Sequence, residues 1–160
     1  MYNVGDRVVH PMHGAGTIED MTVNKVSGKT CRYYVFRTSG GAMTVTFPVD
    51  SCDMIGVRPV CRPEESDEAL KKIAEIEVES DLNWNRRYRD NLEKLKSGDM
   101  GLVGYVIKEL TQRGNARGLS TSERKMLHLA RQILLSELVM SKGISYEEGE
   151  SELDEAVGEL

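Results

Sequence analysis

SDLNWNRRYRDNLEKLKSG, residues 80–98, holds the one tryptophan of a 160-residue chain, with Arg86, Arg87 and Arg89 within five positions of Trp84. Trp84, Tyr88, Leu92 and Leu95 stand at i, i+4, i+8 and i+11, one face of a helix of period 3.6. Arg86 and Arg89 turn away from that stripe, and Arg87 lies on its flank. Two readings are open. An apolar ring at a helix entrance, set among guanidinium groups, suits a nucleic-acid backbone with a wedge or stacking group beside it. The same stripe suits an anchor that holds the helix in a helical core, with the arginines solvated.

Asp81 or Asn83 is placed to cap this helix, and Ser97-Gly98 to end it. Downstream, Asp99 opens a further helix whose stripe is Leu102, Val103, Val106, Ile107 and Leu110, with Gly114 and Gly118 breaking the pattern. Ser120 and Glu123 form a capping box for a long helix that turns Met126, Leu127, Ala130, Ile133, Leu134 and Leu138 inward and ends at Gly143. Arg117, Arg124 and Lys125 cluster at its start. Such a run is an ordinary solvated face, or here an extension of the footprint begun by Arg86. Residues 144–160 are acidic, with a weak stripe of Leu153, Ala156, Val157 and Leu160: a short helix that docks on the bundle, or a mobile tail. Upstream, residues 68–79 give Leu70, Ile73, Ile76 and Val78, a short amphipathic helix with an acidic start suited to the helix dipole.

Before the Pro- and acid-rich segment 61–67, which reads as a linker, the pattern changes to β. Short strands are expected near residues 7–10, 14–21, 33–38 and 42–47, the last two joined across Ser39-Gly40-Gly41, with a fifth from 54–57. Five short strands in about sixty residues suggest a small bent barrel of SH3 or Tudor type. In Met43-Thr44-Val45-Thr46-Phe47, Met43, Val45 and Phe47 point one way and the threonines the other. At a sheet edge this strand would invite a partner's strand; in the centre it would be core only.

The net charge of −5 hides a strong segregation. Residues 1–60 carry +1, 61–82 carry −5, 83–143 carry +6 and 144–160 carry −7. A local basic surface therefore survives an acidic overall balance. Cys31, Cys52 and Cys61 make no C-x-x-C pair and no zinc set with His10 and His13, so thiols and a structural turn at His10-Pro11 are expected. No nucleophile–base pair, phosphate loop or paired-carboxylate site is evident, which argues against an enzyme and against a cofactor. The amino terminus does not read as a signal peptide and no apolar run approaches a membrane span, so a cytoplasmic protein is expected.

The order of motifs resembles the CarD/CdnL family of bacterial transcription regulators. Val4-Gly5-Asp6, Val8-Val9, His10-Pro11, His13-Gly14-Ala15, Met43-Thr44-Val45, Pro48 and Gly56-Val57-Arg58 carry it in the β half. Asn83-Trp84-Asn85-Arg86-Arg87-Tyr88-Arg89, Ser97-Gly98-Asp99, Gly118-Leu119-Ser120, Lys125-Met126-Leu127 and Ala130-Arg131-Gln132 carry it in the helical half. The Trp-Arg helix followed by Ser-Gly-Asp, downstream of a small barrel, is the specific part.

The resemblance implies an α+β protein of two domains: a Tudor-like five-stranded barrel over 1–60, a linker over 61–67, a helical domain over 68–143 and an acidic segment over 144–160. It implies that the barrel binds the RNA polymerase β subunit, partly by strand pairing, through Thr44, Val45, Thr46 and Phe47 with Asn24 and Lys25. Family members often carry basic residues where this chain has Asn24 and Thr46. The helical domain would contact promoter DNA at the upstream edge of the melted region. Carried over by position, Trp84 would be the wedge, with Arg86 and Arg89 on the backbone; beside the resemblance, the charge pattern adds Arg87, Arg124 and Lys125 as expected DNA contacts. No cofactor, metal or membrane is implied, and a monomer tethered to polymerase is expected. The competing readings are a protein–protein adaptor without DNA contact and, more remotely, a Tudor-type reader of a modified side chain, which would need an exposed aromatic cage that the regularly strand-spaced Tyr33, Tyr34 and Phe36 do not suggest.

Overall fold

The computed structural model describes residues 1–41, 43–79 and 83–158. Five antiparallel strands come first: β1 (Arg7–His10), β2 (Gly14–Val26), β3 (Lys29–Thr38), β4 (Thr44–Pro48) and β5 (Arg58–Pro59), in sheet order β4-β3-β2-β1-β5. Phe47 on one edge strand and Val57, beside the other, bury against the same cluster as Val8, Ile18, Tyr34 and Phe36. A sheet whose two edges feed one core must curl strongly, and a bulge between Ile18 and Asp20 helps it bend. Gly40 and Gly41 adopt positive φ of 88° and 72°, as the turn between β3 and β4 requires.

The β half differs from the sequence reading in three ways. Residues 54–57 do not form the fifth strand. Cys52–Ile55 is a single helical turn, α1, closed by Gly56 at φ 94°, and the strand that pairs with β1 is Arg58–Pro59. The β2–β3 hairpin runs well past 21 and 33, to a tip at Ser27-Gly28; residues 23–30 are all exposed, so no inside–outside alternation marks this ribbon in the sequence. The last strand begins at Thr44, leaving Met43 outside it.

The helical half comprises α2 (Pro63–Glu75), α3 (Trp84–Lys96), α4 (Met100–Arg117), α5 (Thr121–Lys142) and α6 (Tyr146–Val157). Its core is a separate cluster that includes Ile73, Leu95, Val106, Ile107, Leu110, Leu134, Leu138 and Leu153. The linker expected over 61–67 is shorter than that. Pro63 sits at the first position of α2, where its missing N–H is no loss, and Glu65 caps back onto the Arg62 N–H at 3.1 Å. α2 ends at Glu75, so Val78 is not on it. Gly114 does not break α4, which continues to Arg117 and stops at Gly118. The acidic tail forms α6 and docks, burying Leu153, Ala156 and Val157, while Leu160 lies outside the described residues.

The two halves pack through β2 and α5. The Ala15 N–H donates to Ser136 Oγ at 2.8 Å, and Gly14 lies so close that an added Cβ would stand 2.4 Å from that oxygen. Ala15 and its cross-strand neighbour Val9 are buried yet belong to neither cluster, so the outer face of the sheet is sealed here.

Candidate nucleic-acid interface

Asn83 rather than Asp81, which lies outside the described residues, opens α3: its side chain accepts from the Arg86 N–H at 3.0 Å. Trp84 is therefore the first helical residue, where no preceding turn covers it. The residue is 41% exposed. One face stacks on Tyr88, with ring centroids 5.1 Å apart and planes 10° from parallel. Its Nε1–H donates to Glu123 Oε1 at 3.2 Å. The ring is neither sealed in the bundle nor free in solvent; it is braced on one face and along its polar edge.

Glu123 is the hinge of the site. As the third residue of α5 it completes the capping box, accepting from the Ser120 N–H at 3.3 Å and the Ser120 hydroxyl at 3.1 Å. Its Oε2 accepts from Arg87 Nε and stands 3.2 Å from Nη2 as well. Burial pushes its carboxyl up, but the Ser120 bonds and the Arg87 guanidinium outweigh that and hold it below the usual carboxylate range. Through this one carboxylate the first turn of α3 meets the first turn of α5.

The arginines separate. Arg87, expected as a DNA contact, is 7% exposed and points inward between Glu123 and Glu109, so its charge is consumed inside the protein. Its place on the flank of the stripe turned it under the helix rather than out. Glu109 lies 3.8 Å from Arg87 and 3.6 Å from Arg113, and burial raises its pKa despite both guanidiniums. Arg86 and Arg89 are exposed, as the helical wheel required. Arg124 is exposed and folds back onto its own helix start, donating to Leu119 O at 2.7 Å and Thr121 Oγ1 at 3.2 Å. Lys125 is exposed on the rim of a groove of about 200 Å³ between α3 and α5, floored by Tyr88, Leu92, Leu95 and Met126. The structure thus brings Arg124 and Lys125 to the helix start that is joined to Trp84.

Among the described residues β4 pairs only with β3, at the edge of the sheet. Thr38 N donates to Met43 O, and continuing that register leaves Val45 and Phe47 bonded to β3 while Thr44 and Thr46 turn their N–H and C=O groups outward. Thr44 and Thr46 also expose their side chains, and Val45 is half-buried. Phe47, expected at the same contact, has its side chain in the core: it is 3% exposed, packed edge-on against Tyr34 and Phe36 at 5.8 and 6.0 Å. Asn24 and Lys25 do not join this patch. They lie on the projecting ribbon, where Asn24 pairs with Cys31, two rungs beyond Tyr33, the last residue of β3 that pairs with β4.

Two participants escaped the sequence reading. Tyr88 appeared only as part of an apolar stripe, and Glu123 only as a cap. The spacing Trp84–Tyr88 at i, i+4 was the available signal for stacking; nothing local could announce the Glu123 bond across 39 positions.

Among the described residues, no group of three or more His, Cys, Asp or Glu could hold a metal ion, and no helix is long and apolar enough to cross a membrane. Two sequence families match the chain: the one described as CarD-like/TRCF RID domain over residues 2–61, and the one described as CarD, C-terminal domain over residues 68–154. A protein of Bacillus subtilis (strain 168) that bears the name "Putative transcription factor YdeB" is 38% identical over 149 residues, covering 91% of this chain and 95% of that one.

Proposed function

Since this chain belongs to the CarD-like family of transcription regulators, we propose that it binds the RNA polymerase β subunit through the β4 edge and stabilises open promoter complexes through Trp84. The observation that carries the reading is Trp84 itself: a large ring, stacked on one side, on an exposed residue at a helix start. Arg86 and Arg89 beside it, with Arg124 and Lys125 from α5, supply positive charge for phosphates. These contacts are few and read no base edges, so they give weak, salt-dependent binding without sequence preference. Wedging a ring into a base step costs a few kcal/mol in intact duplex, and less where the duplex is already opening. The protein therefore acts at the upstream edge of the bubble, held there by polymerase, which raises its effective concentration.

The exposed edge of β4 supports the polymerase half of the reading. Thr44 and Thr46 offer outward donors and acceptors to an added strand. Asn24 and Lys25 on the ribbon would touch the partner beyond that strand.

The test is the half-life of the open complex on forked promoter DNA with polymerase. Trp84→Ala, and separately Arg86→Ala with Arg89→Ala, shorten it while leaving polymerase binding intact. An unchanged half-life in both variants would instead make this protein an adaptor that docks on polymerase without touching DNA.

A further inference from the structure

Trp84 has one polar atom, and the protein uses it. Nε1–H donates to Glu123 Oε1 at 3.2 Å, and the same carboxylate is fixed by Ser120 on one oxygen and by Arg87 on the other. Arg87 in turn is buried with Glu109 behind it. Tyr88, one turn along α3, covers one face of the indole in parallel stacking. The ring thus has its position set along its edge and on one face, leaving the opposite face as the surface it can offer.

We infer that Glu123 is a positioning residue for the Trp84 ring, and that the contact with DNA is stacking on an unpaired or unstacked base by the face away from Tyr88, with the indole N–H withheld from the nucleic acid. The inference rests on the DNA-contact reading above and specifies its chemistry. A free indole N–H would donate to the acceptors of the minor groove, where the pattern separates A·T from G·C pairs, and so add some dependence on sequence. With that donor committed to Glu123, every base offers the same π-face, and the contact is tolerant of sequence. Holding the ring beforehand also removes the loss of side-chain freedom on binding.

A double-mutant cycle tests this in the full-length protein with polymerase and forked promoter DNA. Glu123→Ala is made in the natural chain and in Trp84→Phe, which keeps an aromatic face but has no N–H. In the natural background Glu123→Ala shortens the open-complex half-life by about fivefold, the worth of roughly one hydrogen bond. In Trp84→Phe it produces no further loss. Equal losses in the two backgrounds, or none in the natural one, overturn the inference, because Glu123 would then act only through the fold or not at all. If Glu123→Ala fails to fold with Arg87 stranded, Arg87→Met with Glu123→Ala removes both charges and enters the same cycle.

Failure of the underlying reading shows separately, as a half-life unchanged by Trp84→Ala. In that case the fluorescence of the lone tryptophan decides the positioning claim on the free protein. Faster local depolarisation and readier acrylamide quenching in Glu123→Ala uphold it, and an unchanged signal overturns it.

Discussion

Arg58 donates from Nη1 and Nη2 to the two carboxylate oxygens of Glu137, at 2.7 and 2.6 Å, joining the last strand of the sheet to the later part of α5. The Cys61 N–H adds a third bond to the same carboxylate at 3.0 Å, and Arg58 Nε reaches Gly98 O, at the end of α3, at 2.9 Å. One side chain therefore links the β module, the helix that carries Trp84 and the long helix beneath both. With the Ala15–Ser136 bond and the Tyr146 hydroxyl on Ser39 Oγ at 3.0 Å, it sets the orientation of the two halves.

The pair is asymmetric, and so are the expected variants. The Arg58 side chain is 33% exposed and Glu137 only 3%. Glu137→Ala lets the guanidinium turn to water and costs about 1–2 kcal/mol. Arg58→Ala strands a buried carboxylate and costs about 3–5 kcal/mol. Urea unfolding of the two variants measures the difference, and equal losses would contradict it.

Arg87 and Arg89, two residues apart, should behave as opposites. Arg87→Ala leaves Glu109 and Glu123 buried without their shared counter-ion and destabilises the fold by about 3–5 kcal/mol. Arg89→Ala, at an exposed position, changes stability by no more than about 0.5 kcal/mol. Its effect appears instead as weaker DNA binding with a shallower salt dependence, by about one unit in the slope. Thermal unfolding and a salt titration of polymerase-bound DNA, done on both variants, separate the roles.

How much of this was readable in advance depends on where the signal lies. Helices α3, α4 and α5 show in the sequence because a 3.6-residue stripe repeats over three turns or more and their caps, Asn83, Asp99 and Ser120, are local chemistry. The projecting half of the β2–β3 hairpin does not show, because Asn24, Lys25 and their partners Cys31 and Thr30 face solvent or lie at its margin and leave no alternation to detect. Whether β4 was an edge depended on strand order, which periodicity does not carry. Exposed Trp84 and buried Arg87 share one turn of helix; only the long-range partner Glu123 decides which faces in.

Thr46→Pro should leave the sheet intact and weaken polymerase binding. The Thr46 N–H points away from β3 in the observed register, so proline removes no internal bond while deleting an outward donor. A loss of about tenfold in affinity for the polymerase β subunit is expected, near the upper worth of one hydrogen bond. Val45→Pro, which deletes a bond to β3, unfolds the module instead. Binding by the folded Thr46→Pro protein at full strength would exclude strand pairing at this edge.

His10 should make the fold sensitive to mild acid. Burial first, and the neighbouring His13 second, push its imidazole down to about 4, and Nδ1 accepts the Met12 N–H at 3.2 Å, as a neutral ring does. The unfolded chain binds this proton near pH 6.5, so stability from this group is complete above that pH and falls as pH drops toward 4. The loss is at most about 3 kcal/mol. Urea unfolding at pH 7 and pH 5 should show a smaller drop for His10→Gln than for the natural chain.

The most direct measurement replaces the lone tryptophan by 5-fluorotryptophan and follows its single fluorine resonance. Polymerase alone should leave it nearly unmoved, and promoter DNA alone should do little, because the ring is braced within the helical half on Tyr88 and Glu123 while the proposed polymerase contact is on β4, and DNA binding without the tether is weak. Polymerase and promoter DNA together should shift it strongly, as a base stacks on the open face. A resonance that stays put while the protein remains bound in the open complex would contradict the claim that Trp84 meets the DNA.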